Sequence, residues 1–236
     1  MFLALATALL VSPPASGREL VQQMHDRYAG RWYARLTFVQ TTTFADGHQE
    51  TWYEAASIPG KLRIDIAPLD QRQTIIFRND SVYQWRAGQR QGGPFVHPLM
   101  VLGFDIYAQP VERTVEQLTT LGYDLSRIHA DTWQGRPVWV VGADAGDSTT
   151  RQFWVDQERL VFVRLREPAR RDPGKTSEIR FDRYQRLGDG WIAAEVQMWN
   201  GGAFVMKEEY ADIRTDLTLP EELWEAGTRV EPHWME

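Results

Sequence analysis

The chain has 236 residues and no cysteine, carries a formal net charge of −6, and is 43% apolar and 25% charged. This composition is typical of a folded protein rather than an intrinsically disordered one. The lack of cysteine excludes disulfides, thiolate catalysis and cysteine-ligated metals. The acidic balance argues against a nucleic-acid partner, which needs clustered Lys and Arg.

The N-terminus is apolar from Phe2 to Val11 and continues as Ser12-Pro-Pro-Ala-Ser-Gly. A membrane-spanning helix needs about twenty apolar residues, so this run is too short to cross a bilayer. Its length and the small residues after it predict a secretory signal over residues 1–17, cut near Ala15 or Gly17. We therefore expect an exported, soluble, monomeric protein of the periplasm, without stable membrane insertion, whose residues 18–236 form one domain.

A half-buried antiparallel sheet is predicted from residue 32 onward. Apolar and polar side chains alternate over residues 32–44, and Asp46-Gly47 then provides a tight hairpin turn. A return strand over 49–57 ends before Pro59-Gly60, and residues 61–66 alternate again. Further strands are predicted at 73–78, 81–86, 125–133, 136–143, 149–155, 160–167, 178–186, 191–199 and 204–213.

Three segments have helical rather than alternating periodicity: residues 18–29, 98–107 and 110–121. Residues 87–94 are rich in glycine and predict a loop. The basic stretch 164–175, which overlaps the end of the strand predicted at 160–167, is interpreted as a solvated loop. The fold class that follows is mainly β with an α lid. It is an incomplete antiparallel β-barrel, a curled sheet of roughly eleven strands, covered by short helices.

No catalytic, metal or cofactor site is predicted. The five histidines lack the spacing of metal ligands, and no nucleophile-elbow, P-loop or dinucleotide-binding motif is present. The histidines are His25, His48, His97, His129 and His233.

The order of several short motifs resembles the outer-membrane lipoprotein carrier and sorting proteins, the LolA/LolB-like superfamily. The motifs are Tyr28-Ala29-Gly30, Phe38-Val39-Gln40-Thr41, Pro59-Gly60-Lys61-Leu62-Arg63, Gln134-Gly135-Arg136-Pro137-Val138, Phe153-Trp154-Val155-Asp156, Gly190-Trp191-Ile192-Ala193 and Asp216–Trp224. The resemblance implies an open barrel whose cavity takes acyl chains of lipoproteins or lipids. It also implies a donor at the inner membrane and a receptor at the outer membrane.

One position departs from this resemblance. The carriers commonly have an arginine immediately before the proline of the third-strand turn, where it holds the lid closed. This chain has Ile58 there. We therefore expect the latch to be absent or supplied by another residue.

The apolar positions of the predicted strands define a candidate lipid-binding face. It consists of Trp32, Leu36, Phe38, Leu62, Ile64, Phe77 and Trp85. The inward parity of the fourth and fifth strands stays open, because Ile75, Ile76 and Phe77 are apolar on both faces. Two other function classes also remain open: a lipid- or lipoprotein-sensing regulatory module of the envelope, and an uncharacterised enzyme.

Overall fold

A computed structural model describes residues 12–87, 89–169, 172–215 and 217–225, with the side chain of residue 173 excepted. The predicted leader segment 2–11 and His233 lie outside the described residues. Among the helices of the described part, none is both long enough and apolar enough to cross a membrane.

Thirteen strands form one antiparallel sheet in the order β6-β5-β4-β3-β2-β1-β13-β12-β11-β10-β9-β8-β7. The sheet is open, since β6 and β7 are its edges. The strands are β1 Arg35–Phe44, β2 Gln49–Ser57, β3 Lys61–Ile66, β4 Gln73–Arg78, β5 Ser81–Arg86, β6 Gln89–Pro94, β7 Ile128–Trp133, β8 Arg136–Val141, β9 Gln152–Asp156, β10 Phe162–Ala169, β11 Asp172–Leu187, β12 Gly190–Asn200 and β13 Ala203–Thr215. The predicted fold class is confirmed, with thirteen strands instead of about eleven.

Two predicted loops are strands. Residues 89–94 form β6, whose backbone pairs with β5 although its six residues include two glycines and a proline. The basic stretch lies in the β10–β11 hairpin, not in a solvated loop, apart from residues 170 and 171, which are outside the described part. Arg164 is buried there between the rings of Trp133 and Trp154, and its Nε donates to Glu178 at 3.0 Å. A run of charged residues therefore does not always indicate a solvated loop, because an arginine on one strand can be buried beside an acidic partner on the next.

Three α-helices cover one face of the sheet: α1 Gly17–Tyr28, α2 Pro98–Gly103 and α3 Val111–Thr120. Three short 3₁₀ helices add Leu69–Gln71, Asp105–Tyr107 and Glu221–Trp224. The hydroxyl of Ser16 caps α1 by accepting from the backbone N–H of Glu19, so the helix begins one residue before the predicted domain boundary.

The helices meet the sheet through aromatic packing. The ring of Trp32 stacks on Tyr107 with 3.9 Å between centroids, and Tyr28 packs edge-on against both rings. Trp32 lies before β1 because its backbone N–H still donates to Tyr28, one turn beyond the helix. The predicted first strand therefore begins three residues later than expected.

A hydrogen bond joins the lid to the turn that contains Ile58. The Oδ1 atom of Asp105, which follows α2, accepts the backbone N–H of Gly60 at 2.8 Å. Asp105 is only 2% exposed, and burial raises the pKa of its carboxyl to about 7 although the Gly60 N–H favours the charged form. A lid residue thus contacts this turn, where the resemblance implies an arginine.

The opposite face of β1–β4 is covered by residues 217–225. Leu219, Leu223 and Trp224 pack on Ala55. Arg63 donates to the carbonyl of Leu223 at 3.2 Å. Many side chains of this face are polar and suit solvent, but residues 217–225 bury part of it.

Within that covered face, Arg63 forms a bidentate pair with Asp65 at 2.7 and 2.9 Å, and both residues are buried. Arg63→Ala leaves the Asp65 carboxylate without its ion partner, and we expect a loss of about 3–5 kcal/mol in the free energy of unfolding. Urea unfolding measures this loss. The double variant Arg63→Met/Asp65→Leu should lose much less, and an equal loss in both variants would contradict the ion-pair explanation.

A second prediction concerns the buried Asp105. Its folded pKa of about 7 exceeds the unfolded value of 3.8, so the folded state binds the extra proton between these values. Its contribution to stability is therefore full below about pH 4 and is lost as the pH rises to about 7. Asp105→Asn keeps the acceptor for Gly60, and we expect it to raise stability at pH 8 by at least about 1 kcal/mol. Thermal unfolding from pH 5 to 8 should show a weaker pH dependence in this variant, whereas Asp105→Ala, which removes the acceptor, should be less stable than Asp105→Asn throughout.

Candidate ligand cavity

A cavity of about 380 Å³ lies between the helix-covered face of the sheet and α2. Both halves of the chain contribute to its wall. The lining residues are Gln40, Trp52, Glu54, Leu62, Ile64, Ile75, Phe77, Val82, Gln84, Phe95, His97, Leu99, Met100, Phe104, Phe181, Met198, Met206, Glu208 and Tyr210. The wall is mainly apolar, with a small number of polar groups, as is usual for small-molecule sites.

The structure brings three of the seven predicted residues to this cavity: Leu62, Ile64 and Phe77. Leu36 and Phe38 share the same sheet face but are fully buried and do not reach the cavity. The ring of Phe38 lies behind the wall, 4.4 Å from the ring of Tyr210. Apolar alternation identifies the face, but it does not separate residues under the helices from residues beside an open space.

The two predicted tryptophans lie elsewhere. Trp32 belongs to the aromatic packing between α1 and the sheet described above. Trp85 pairs with Thr74, whereas Val82 pairs with Phe77 and so shares the cavity face. The side chain of Trp85 is therefore on the other side of the sheet, which corrects its predicted inward position. Tyr83, two positions before Trp85, shares this side of β5, and both side chains are only partly buried because this side is near the sheet edge.

Sequence reasoning missed the polar members of the wall. Glu54 occupies the cavity face of β2, opposite Phe38 and Ile64, and Glu208 occupies the same face of β13. Each follows an apolar cavity residue by two positions, Trp52 and Met206. That period-two relation is a usable signal once the inward parity is known. Without it, a glutamate in a strand is normally assigned to solvent.

The pKa values of these two carboxyls are raised, mainly by burial. Burial raises the pKa of Glu54 well above its ordinary value, and the nearby Glu208 raises it further. Burial raises the pKa of Glu208 to about 7, although the side chains of Tyr210 and Gln40 favour its ionised form. The Tyr210 hydroxyl donates to Oε2 of Glu208 at 3.0 Å.

Two neighbouring recesses are more polar. One of about 180 Å³ lies beside Gly60 and is lined by Arg78, Asp80, Asp105 and Arg113 among others. The other, of about 470 Å³, includes Asp80, Arg151 and Glu167 in its lining. Within the described residues, no cluster of three or more His, Asp or Glu side chains has the arrangement of a metal site.

Comparison with known proteins shows which fold this sheet and its helices form. No protein-family model matches the sequence, and no curated protein matches it. A LolA superfamily protein from Nitrosomonas europaea superposes with a TM-score of 0.57 at 10% identity, covering 90% of this chain and 99% of that one. A domain from Vibrio parahaemolyticus assigned to the outer membrane lipoprotein-sorting proteins gives 0.59 at 14% identity, covering 88% and 95%.

A DUF1329 family protein from Desulfovibrio piger superposes with a TM-score of 0.57 at 10% identity, covering 89% of this chain and 95% of that one. At such identities the similarity establishes architecture and leaves function to the site. The open thirteen-strand antiparallel sheet with its three helices therefore has the LolA-like fold.

Proposed function

We propose that this protein is a periplasmic carrier that binds an acyl chain of a lipoprotein or lipid in the cavity beneath α2. The observation that carries the proposal is the mainly apolar cavity of about 380 Å³ in a LolA-like fold. The similarity of this fold to a lipoprotein-sorting domain supports export, a donor at the inner membrane and a receptor at the outer membrane. The role proposed is binding and release, without catalysis.

The volume of the cavity limits how much of the cargo it can hold. A cavity of about 150 Å³ holds benzene, so 380 Å³ corresponds to roughly fifteen carbons, or one acyl chain. Burying about fourteen methylenes contributes on the order of 11 kcal/mol, at about 0.8 kcal/mol each. Association costs at least about 4 kcal/mol of this, which leaves a reversible complex. A single buried chain therefore suits a protein that must release its cargo, and a triacylated cargo would leave its other chains outside this cavity.

The lid contacts support a route for entry and exit. Leu99, Met100 and Phe104 close the cavity from the side of α2, and the bond from Gly60 to Asp105 attaches this segment to the sheet. A hydrogen bond of this kind, from a backbone N–H to a carboxyl, is worth about 1–3 kcal/mol net. This segment is held to the sheet by side-chain packing and this bond, not by a ladder of backbone hydrogen bonds as the strands are. α2 is therefore the element that we expect to move when a chain enters.

Two leucine substitutions test the cavity directly. Leu62 lines the cavity, and Leu36 is buried core on the same face. Leu36→Ala should cost about 2–5 kcal/mol in unfolding free energy. Leu62→Ala should cost less, because its side chain already borders open space, and should change the displacement of the neutral dye phenylnaphthylamine by tetradecanol.

Dye fluorescence and urea unfolding on the two variants provide the measurements, and Leu36→Ala is the matched control for binding. Native mass spectrometry of protein purified from the envelope should show bound lipid. If Leu62→Ala destabilises as much as Leu36→Ala, and neither dye nor tetradecanol binds the unaltered protein, the face is ordinary core and the carrier function is wrong.

A further inference from the structure

The cavity wall contains a largely buried carboxyl group that no described residue satisfies. Glu54 is 3% exposed and lines the cavity from β2. Within the described part of the chain, no hydrogen-bond donor or cation contacts its carboxyl group. The residues directly opposite it on the neighbouring strands, Phe38 and Ile64, are apolar. The Glu54 oxygens are not among the described side-chain atoms that are sealed from solvent without a partner, so they border the cavity and are open to a ligand there.

A second carboxyl group faces the same space. Glu208 is 7% exposed, the hydroxyl of Tyr210 donates to it at 3.0 Å, and the side chain of Gln40 also favours its ionised form. The titratable lining groups are Glu54 from β2, His97 from the segment before α2, and Glu208 and Tyr210 from β13. Among the described lining residues there is no lysine or arginine, and His97 is the one basic group. Neither carboxyl is therefore paired with a lysine or arginine of the wall, and ionisation of both buried carboxyls is strongly disfavoured without such a partner.

From this arrangement we infer that the cavity selects an amphiphile whose polar end is a primary ammonium group, held between Glu54 and Glu208. The inference rests on the proposed function, and it specifies the class of ligand. An ammonium group has three donors and no acceptor, which matches two carboxylates and the Tyr210 oxygen. The alkyl chain then follows Leu62 and Ile64 toward α2.

The same arrangement disfavours the ligand that an acyl-binding cavity would ordinarily suggest. A fatty-acid carboxylate would add a negative group beside two carboxyls in a space whose described lining has no lysine or arginine, which repulsion and desolvation oppose. A neutral alcohol can donate one hydrogen bond and gains no charge pairing. The order expected at pH 8 is amine first, alcohol second and carboxylate last.

Three ligands with the same chain length separate these possibilities: tetradecylamine, tetradecanol and tetradecanoate, each used to displace phenylnaphthylamine at pH 8. Tetradecylamine should bind at least about tenfold more tightly than tetradecanol, since charge-assisted hydrogen bonds are about twice as strong as neutral ones. In Glu54→Gln and in Glu208→Gln the amine should lose about tenfold, with tetradecanol unchanged.

Glu209→Gln is the matched control. It neighbours Glu208 on the same strand, lies on the other face and pairs with Lys207 at 2.8 Å and Arg183 at 3.2 Å. This variant should bind all three ligands as the unaltered protein does. Because glutamine has the shape of glutamate and removes a buried charge, the cavity variants should fold, which thermal unfolding checks.

Calorimetry of the unaltered protein gives a second readout that needs no variant. Amine binding favours ionised carboxyls, so it should release protons near pH 7. This release is seen as a heat of binding that changes with the ionisation enthalpy of the buffer, and tetradecanol should release no protons.

To identify the natural source of the ammonium, lysophosphatidylethanolamine is compared with lysophosphatidylglycerol, and preference for the first points to a lipid headgroup.

The outcomes are distinct. Binding of tetradecanol and tetradecanoate as tight as that of the amine, or an amine preference that persists in both Gln variants, overturns the ammonium site and leaves the carrier function intact. Binding of none of the three ligands rejects the carrier function, and the ammonium site with it.

Discussion

The pairing of β1 with β13 is the interaction on which the rest of this structure depends. It runs from Leu36 opposite Thr215 to Phe44 opposite Met206 and joins the first strand of the chain to the last. Without it, β1–β6 and β7–β13 would be two separate meanders, each with a further exposed edge. Such a pairing closes most of the chain into one loop, so its entropic cost must be offset by the packing that follows.

The cavity is a consequence of this pairing. Its wall takes Leu62, Ile64 and Phe77 from one half of the chain, and Met206 and Glu208 from the other. The two halves of the sheet face α2 together only because β1 and β13 are neighbours. For the same reason Glu208, which is far from Glu54 in sequence, lies close enough to raise the pKa of the Glu54 carboxyl further.

In the described part of the chain, buried charged side chains are paired on one face of these strands and unpaired on the other. On the face covered by residues 217–225, Arg63 and Asp65 are close enough for two hydrogen bonds, and the hydroxyl of Thr74 also donates to Asp65 at 2.8 Å. In the cavity, Glu54 has no such partner among the described residues. A buried polar group without a partner is expected at a binding site, whereas a fully hydrogen-bonded polar network stabilises the fold.

The sequence by itself determined the elements, because alternation, glycine turns and helix caps are local. It predicted β2, β4 and β5 at their observed limits, and it identified the apolar face that carries Leu62, Ile64 and Phe77. Tertiary structure alone decided which of these side chains belong to the core. It also decided which face of β5 is directed toward the cavity, and so where Trp85 lies, and that Arg63 is buried. It also decided that Glu54 and Glu208 meet. Each of these depends on what covers a face or which strands become neighbours, and that is set by packing between segments distant in the chain, which no local pattern encodes.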